Sequence, residues 1–336
     1  MIIYQLLKIN HRVKNHRIKF FGLWLLNLLN KRTLSVYFDP VLACNLRCKM
    51  CYFTDKEYTL HLKGIIPREN LGFYANALFK NALKLQIGCG AEPTLYKDIT
   101  KIIQLGKHYG IPYISLTTNG NLLTQESIRD YSNAGLNEFT ISLHGVIKES
   151  YEFFMGKGNY GKFFSNLLLI SDEKKKNPKL KLRINYTFNK DNFLELENFF
   201  DVFKDISIDI LQLRPIQKIG NTEYQNTNLD SLKDVYLSLL EKIKVIAKEK
   251  NIILLSSGSL YPRSSSNQNY LTPYTYCYVS PNYCWREDFN YTKETFSQWS
   301  ERTHWKSKIF SAILKNKKDL EKDTGTEKLN YSVDIN

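Results

Sequence analysis

From Leu34 onward the chain alternates short runs of apolar and polar residues with helix-length segments. Strands are predicted near 34–39, 83–88, 112–117, 138–143, 180–187 and 206–213, and helices near 68–81, 97–109, 124–134, 160–175 and 191–203. A longer helix near 229–250 carries Leu232, Tyr236, Leu239, Ile243 and Ile246 at helical spacing. Strands separated by helices read as βα units around a parallel sheet. Six such units within residues 34–250 predict an α/β fold, a partial (βα)6 TIM-like barrel.

The strand faces carry more information than the strand count. Side chains alternate across a strand, so Leu180, Leu182, Ile184 and Tyr186 share one face while Lys181, Arg183, Asn185 and Thr187 share the other. Phe139, Ile141 and Leu143 alternate with Thr140, Ser142 and His144 in the same way, and Ile114 and Leu116 with Ser115, Thr117 and Asn119. With the apolar faces packed under the outer helices, the polar faces line the lumen. A closed barrel fills its lumen with branched apolar side chains, so a polar lumen predicts a bound polar ligand.

The remaining segments flank this unit. Residues 1–33 place Lys8, Arg12, Lys14, Arg17 and Lys19 ahead of the apolar run Phe20–Leu29, which is too short to span a bilayer and lacks a small-residue cleavage site. An amphipathic helix packed on the domain is expected there, with peripheral membrane contact through residues 8–29 as the alternative. After residue 250 the chain becomes rich in Ser, Asn, Tyr and Pro, which sets a domain boundary. A small α+β extension is expected over 251–316, and a disordered lysine-rich tail over 317–336.

Composition narrows the partners. The 336 residues are 43% hydrophobic with a net charge of +14, which suits a folded protein with anionic partners. The positive charge is scattered along the chain rather than gathered into one stripe, so nucleic-acid binding has no strong case. Three of the six cysteines crowd into positions 44–51, a pattern of reduced, metal-binding thiols in a cytoplasm rather than of a disulfide framework.

Those three form Cys44-Asn45-Leu46-Arg47-Cys48-Lys49-Met50-Cys51, a C-x3-C-x2-C loop directly after the first strand, at the barrel end where active sites form. Three thiolates this close in sequence suit three irons of a cubane and leave the fourth iron open. Structural zinc is the competing reading, and it needs a fourth ligand such as His61 or Cys89.

The triplet and four later motifs together resemble the radical S-adenosylmethionine (radical SAM) superfamily. Gly90-Ala91-Glu92-Pro93 is similar to that family's Gly-Gly-Glu-Pro turn, which holds the methionyl amino group, with Ala91 in place of the second glycine. Thr118-Asn119-Gly120 is similar to a ribose-side segment, and Ile141-Ser142-Leu143-His144-Gly145 to the fourth-strand Ser motif, with His144 where aspartate is common. Arg183-Ile184-Asn185 is similar to a Lys-x-Asn pattern that meets the cofactor carboxylate; Arg183 can instead pair with a lumen carboxylate. The matches cover about residues 34–215.

The resemblance implies a [4Fe-4S] cluster on Cys44, Cys48 and Cys51. It implies S-adenosyl-L-methionine held by Gly90, Ala91, Glu92, Asn119, Ser142, Arg183 and Asn185, and a reductant protein of flavodoxin or ferredoxin type. It also implies reductive cleavage to a 5′-deoxyadenosyl radical that abstracts hydrogen from a substrate. Cys277, Cys284, Trp285, Phe296 and Trp299 resemble a shortened SPASM or twitch extension, so a peptide or protein side chain is the leading substrate class. A carbohydrate or other small metabolite comes second, and a non-enzymatic zinc protein that binds RNA third. Cys89 reads as core filling or as a substrate-side thiol. Tyrosines at 261, 270, 274, 276, 278, 283 and 291 read as packing of the extension or as a wall over the barrel mouth.

Overall fold

The computed structural model describes residues 2–217, 220–260, 270–324 and 334–335. The six predicted strands are present as β1 (Leu34–Phe38), β2 (Ala82–Ile87), β3 (Tyr113–Thr118), β4 (Glu138–Leu143), β5 (Lys181–Phe188) and β6 (Ile210–Pro215). They pair in that order, each parallel to the next. Helices cover the outer face. The helix Ile99–His108 buries Ile99, Ile102 and Ile103 at helical spacing, together with Gly106, where a Cβ would stand 2.7 Å from Cδ1 of Ile114 on β3. The helix Gln125–Ala134 starts in a capping box between Thr124 and Ser127 and stops at Gly135, whose φ of 105° favours glycine.

The sheet continues beyond residue 250, where the sequence set a boundary. Strand β7 (Ile253–Ser256) adds parallel to β6, and β8 (Tyr276–Ser280) adds parallel to β1 at the opposite side. The two-residue strands β9 (Tyr283–Cys284) and β10 (Asp334–Ile335) lie antiparallel on β8 and β7. Eight parallel strands therefore curve around the lumen among the described residues, and β7 and β8 stay apart, so the barrel is open. Part of the segment expected to form a separate extension thus completes the barrel sheet. Residues 317–324 of the tail expected to be disordered are helical, with Leu320 buried, because that one side chain reaches the core. Tyr261 lies outside the described residues.

The N-terminal segment forms two helices. Helix His16–Leu28 turns Phe20, Leu23 and Asn27 inward and packs on helix Trp305–Leu314. The preceding helix, Ile2–Arg12, closes the end of the barrel where the strands begin. Its Tyr4 hydroxyl donates to the carboxylate of Glu138, the first residue of β4. Tyr113, the first residue of β3, donates to the same oxygen at 2.6 Å, Thr140 donates to the other at 2.7 Å, and an Arg183 amine stands 3.8 Å away. Glu138 is fully buried, and these donors are what make its burial tolerable.

Tyr4→Phe removes one donor to a buried charge and keeps the ring packing. It should lower folding stability by about 1.5–3 kcal/mol, read as a drop in denaturation midpoint. An unchanged midpoint means Glu138 does not depend on the N-terminal helix.

Candidate active site

A cavity of about 760 Å³ runs through the lumen from the cysteine loop towards the N-terminal helix. Its wall includes Cys44, Cys48 and Cys51, the turn Gly90–Glu92, and Asn119, Ser142, Arg183 and Asn185. All ten residues implied by the family resemblance therefore meet in one chamber. Strand alternation is the reason: on β5 Leu182, Ile184 and Tyr186 are fully buried outward, while Arg183, Asn185 and Thr187 point into the cavity.

The cysteine loop is held mainly by backbone. Arg47 donates its N–H to the Gly156 carbonyl at 2.8 Å, and Lys49 to that of Phe154 at 2.9 Å. A Cβ on Gly156 would come within 2.3 Å of the Arg47 carbonyl oxygen, so that approach requires glycine. The Arg47 guanidinium closes the loop on itself through the carbonyls of Cys44 and Leu46. Burial pushes the thiol of Cys44 up to about 11, and those of Cys48 and Cys51 also upward. Among the described residues, no three His, Cys, Asp or Glu side chains converge around a single metal ion. Three separate thiols lining one cavity are the donor set of a cubane, whose irons each take one thiolate, and they fit it.

Two buried carboxylates shape the adjoining turns. Asp39, just past β1, accepts the backbone N–H of Cys89 at 2.7 Å and of Gly90 at 2.9 Å, and the Tyr278 hydroxyl of β8 at 2.8 Å. Glu92 accepts the Thr118 hydroxyl at 2.6 Å, the Asn119 N–H at 2.8 Å and the Thr94 hydroxyl at 2.5 Å, which ties the turn after β2 to that after β3. Burial raises the pKa of both against these bonds. Tyr52, next to Cys51, donates its hydroxyl to the Gly90 carbonyl and so couples the cysteine loop to the same turn.

The sequence reading missed Asp39, Tyr52 and Asn45, and it named Tyr278 only as packing or as part of a wall over the barrel mouth, without its bond to Asp39. Their signals were slight: an Asp-Pro pair ending a strand, a tyrosine after the third cysteine, and an asparagine inside the loop. Asn119 is present where expected, but its amide is engaged by Asn45 at 2.8 Å and its side-chain oxygen by the Asn121 N–H at 2.9 Å, so its visible role is to brace the loops.

Deeper in the lumen, several polar atoms are buried without a protein partner: Oδ1 of Asn185, Oγ1 of Thr117, Nδ1 of His144 and Nε of Arg183. Such groups call for a partner that enters the cavity, a ligand or an ordered water. Arg183 donates to Gln212 through Nη2, while its Nη1 stands 3.5 Å from the Tyr4 hydroxyl and 3.8 Å from Glu138, so the lumen-carboxylate alternative for this residue is realised. Lys84 of β2 also faces the cavity and donates to Gln86 at 3.0 Å, its pKa lowered to about 8 first by burial and then by Arg183. Cys89 lines the same wall beside Tyr276. Cys277 is fully buried in the core on β8, facing away from the chamber wall, and Cys284 lies on the neighbouring β9.

An open parallel barrel with a three-cysteine loop at the strand ends and a polar lumen defines a class of cluster-dependent enzyme folds. Residues 40–202, just under half of the chain, match the model of the radical SAM superfamily. The family uses a [4Fe-4S] cluster and S-adenosylmethionine. The GTP 3′,8-cyclase of Aquifex aeolicus is 32% identical over 164 residues, 47% of this chain and 49% of that one. The probable GTP 3′,8-cyclase of Sulfurisphaera tokodaii is 24% identical over 209 residues, 61% and 64%. The chain thus spans less than two thirds of the length of these relatives. Among solved structures, Streptococcus suis SuiB bound to S-adenosylmethionine superposes with a TM-score of 0.57 at 18% identity, covering 76% of this chain and 61% of SuiB. The anSMEcpe structure with bound AdoMet and Cp18Cys peptide gives 0.51 at 21%, covering 65% and 62%. These two likenesses concern the fold.

Burial, and next the charge of Arg214, lowers the His144 pKa from 6.5 to about 4. The unfolded chain then binds the extra proton first, so the stability His144 contributes is full above pH 6.5 and is lost as pH falls towards 4. His144→Gln should flatten the stability of the apo-protein between these limits by about 3 kcal/mol relative to wild type. Parallel curves from thermal melts would place the ring in water.

Proposed function

We propose that the protein is a radical SAM enzyme whose lumen holds the cofactor above a small, polar, anionic substrate. The convergence of the cysteine triplet, the Gly90–Glu92 turn and the unpartnered lumen groups on one cavity carries this reading. Cys44, Cys48 and Cys51 would hold the cluster, and Ser142 and Asn185 would hydrogen-bond the cofactor. Held there, the cluster would supply an electron for reductive cleavage of S-adenosylmethionine, and the cleaved cofactor would serve as hydrogen acceptor from the substrate. The protein's own contribution is orientation and the exclusion of water. A reductant protein of flavodoxin or ferredoxin type belongs to this proposal.

The charge of the chamber supports the substrate class. Lys84, Arg183 and Arg214 face it from β2, β5 and β6. Among the described residues Glu92 is the acidic side chain of its wall, and that carboxylate is engaged by loop donors. The peptide or protein side chain expected from the sequence drew on Cys277 and Cys284, and their placement gives it no support. A phosphorylated or carboxylated metabolite suits the cations and the hydrogen-bonding groups between them.

Anaerobically reconstituted wild type should bind iron and sulfide and release 5′-deoxyadenosine when reduced. Cys48→Ala should lose both, because two thiolates leave the cluster unanchored. Full turnover in Cys48→Ala would sink the assignment. Separately, Asn185→Ala should weaken S-adenosylmethionine binding roughly tenfold, a loss of about 1.5 kcal/mol, with iron content unchanged. Calorimetry on the reconstituted protein decides it, and equal affinity moves Asn185 to a structural role.

A further inference from the structure

Helix His16–Leu28 presents an unusual outward face. Its inward side is accounted for by Phe20, Leu23 and Asn27, yet from Phe20 to Leu29 it carries no charged residue. Ile18, Phe21, Leu25 and Leu28 form an exposed stripe at helical spacing, with Ile18 59% and Phe21 52% accessible. The neighbouring helix Trp305–Leu314 extends the patch. His16 meets the Lys315 carbonyl at 3.2 Å and Lys306 meets Asn30 at 3.4 Å, so the two helices run antiparallel and their outward residues lie side by side. Phe310 packs on Trp24, which packs on Phe21, and Leu314 is 72% accessible. Single exposed apolar residues are ordinary, but a contiguous patch on two helices is a docking surface.

Its rim identifies the partner. Residues 1–38 contain seven Lys and Arg and no Asp or Glu. Residues 303–318 contain five Lys and likewise no acid. Lys14, Lys19 and Lys317 line the lumen cavity and Arg32 turns onto backbone carbonyls. The other cations of these segments, among them Lys8, Arg12, Arg17, Lys31, Lys306 and Lys308, are unbalanced by acids within them, and a second copy on the same face would bring like charges together, which disfavours self-association. An apolar stripe flanked by cations complements an anionic lipid surface, where the side chains enter the acyl boundary and the Lys and Arg stay among the headgroups. Among the described residues no helix is long and apolar enough to cross a membrane, so the helix pair would lie on the surface.

We propose that the face formed by helices His16–Leu28 and Trp305–Leu314 docks this protein on an anionic membrane surface. The proposal is independent of the chemistry in the lumen. In co-sedimentation with vesicles, the reconstituted protein should pellet with phosphatidylcholine containing phosphatidylglycerol. It should bind roughly tenfold less to phosphatidylcholine alone or in high salt. The double variant Phe21→Glu, Leu25→Glu changes only exposed positions and should lose binding by a similar factor with an unchanged melting curve. Should that variant fail to fold, Arg17→Glu with Lys31→Glu tests the rim, again with loss of binding expected. Wild type left in the supernatant with anionic vesicles overturns the proposal, as does undiminished binding by a folded variant. A dimer in light scattering without vesicle binding assigns the face to a second copy and overturns it equally.

Discussion

Turning the polar side of a parallel sheet inward takes much of it out of bulk water, and each polar atom that is buried must then find a partner inside the protein or reserve its hydrogen bond for something that enters. Most of this structure follows from how that demand is met. At the strand starts it is met internally, by Tyr4, Tyr113 and Thr140 around Glu138. At mid-lumen it is left open at Asn185, Thr117 and His144. Near the strand ends it is met by the loops themselves, through Asp39 and Glu92. The chamber is thus sealed below, receptive in the middle and stiffened above.

The stiffening depends on acids used as structural knots. A carboxylate accepts several donors at once, and Asp39 and Glu92 each gather theirs from different chain segments. Loops built this way need little apolar packing of their own, which leaves the cysteine loop free to face the cavity. The desolvation evident at both acids is the cost of that arrangement.

The parts of the fold legible from sequence were those written in periodicity. The first six strands carry apolar residues at alternate positions, and β5 does so strictly over eight residues with every apolar position buried. The motifs of the chamber were legible because they sit where those strands end. Strands β7 and β8 were not, for a physical reason. Four residues suffice for β7, too few to show a period, and β8 reads Tyr-Cys-Tyr-Val-Ser, whose tyrosines obscure which face is apolar. Both are specified by the vacant edges of the sheet they join rather than by their own pattern. The bonds of Asp39 were hidden likewise, since its partner Tyr278 is 239 residues away.

That distance bears on the order in which the protein assembles. The cysteine loop and the turn after β2 leave the ribosome early, but the acid that braces the turn completes its bonds only when Tyr278 has emerged and β8 has paired with β1. Until then Asp39 would be a charge between half-formed strands. Synthesis therefore sets a clock for the cysteine loop: the loop is made early, and the Asp39 bond that stiffens the turn beside it waits for a residue 239 positions further on.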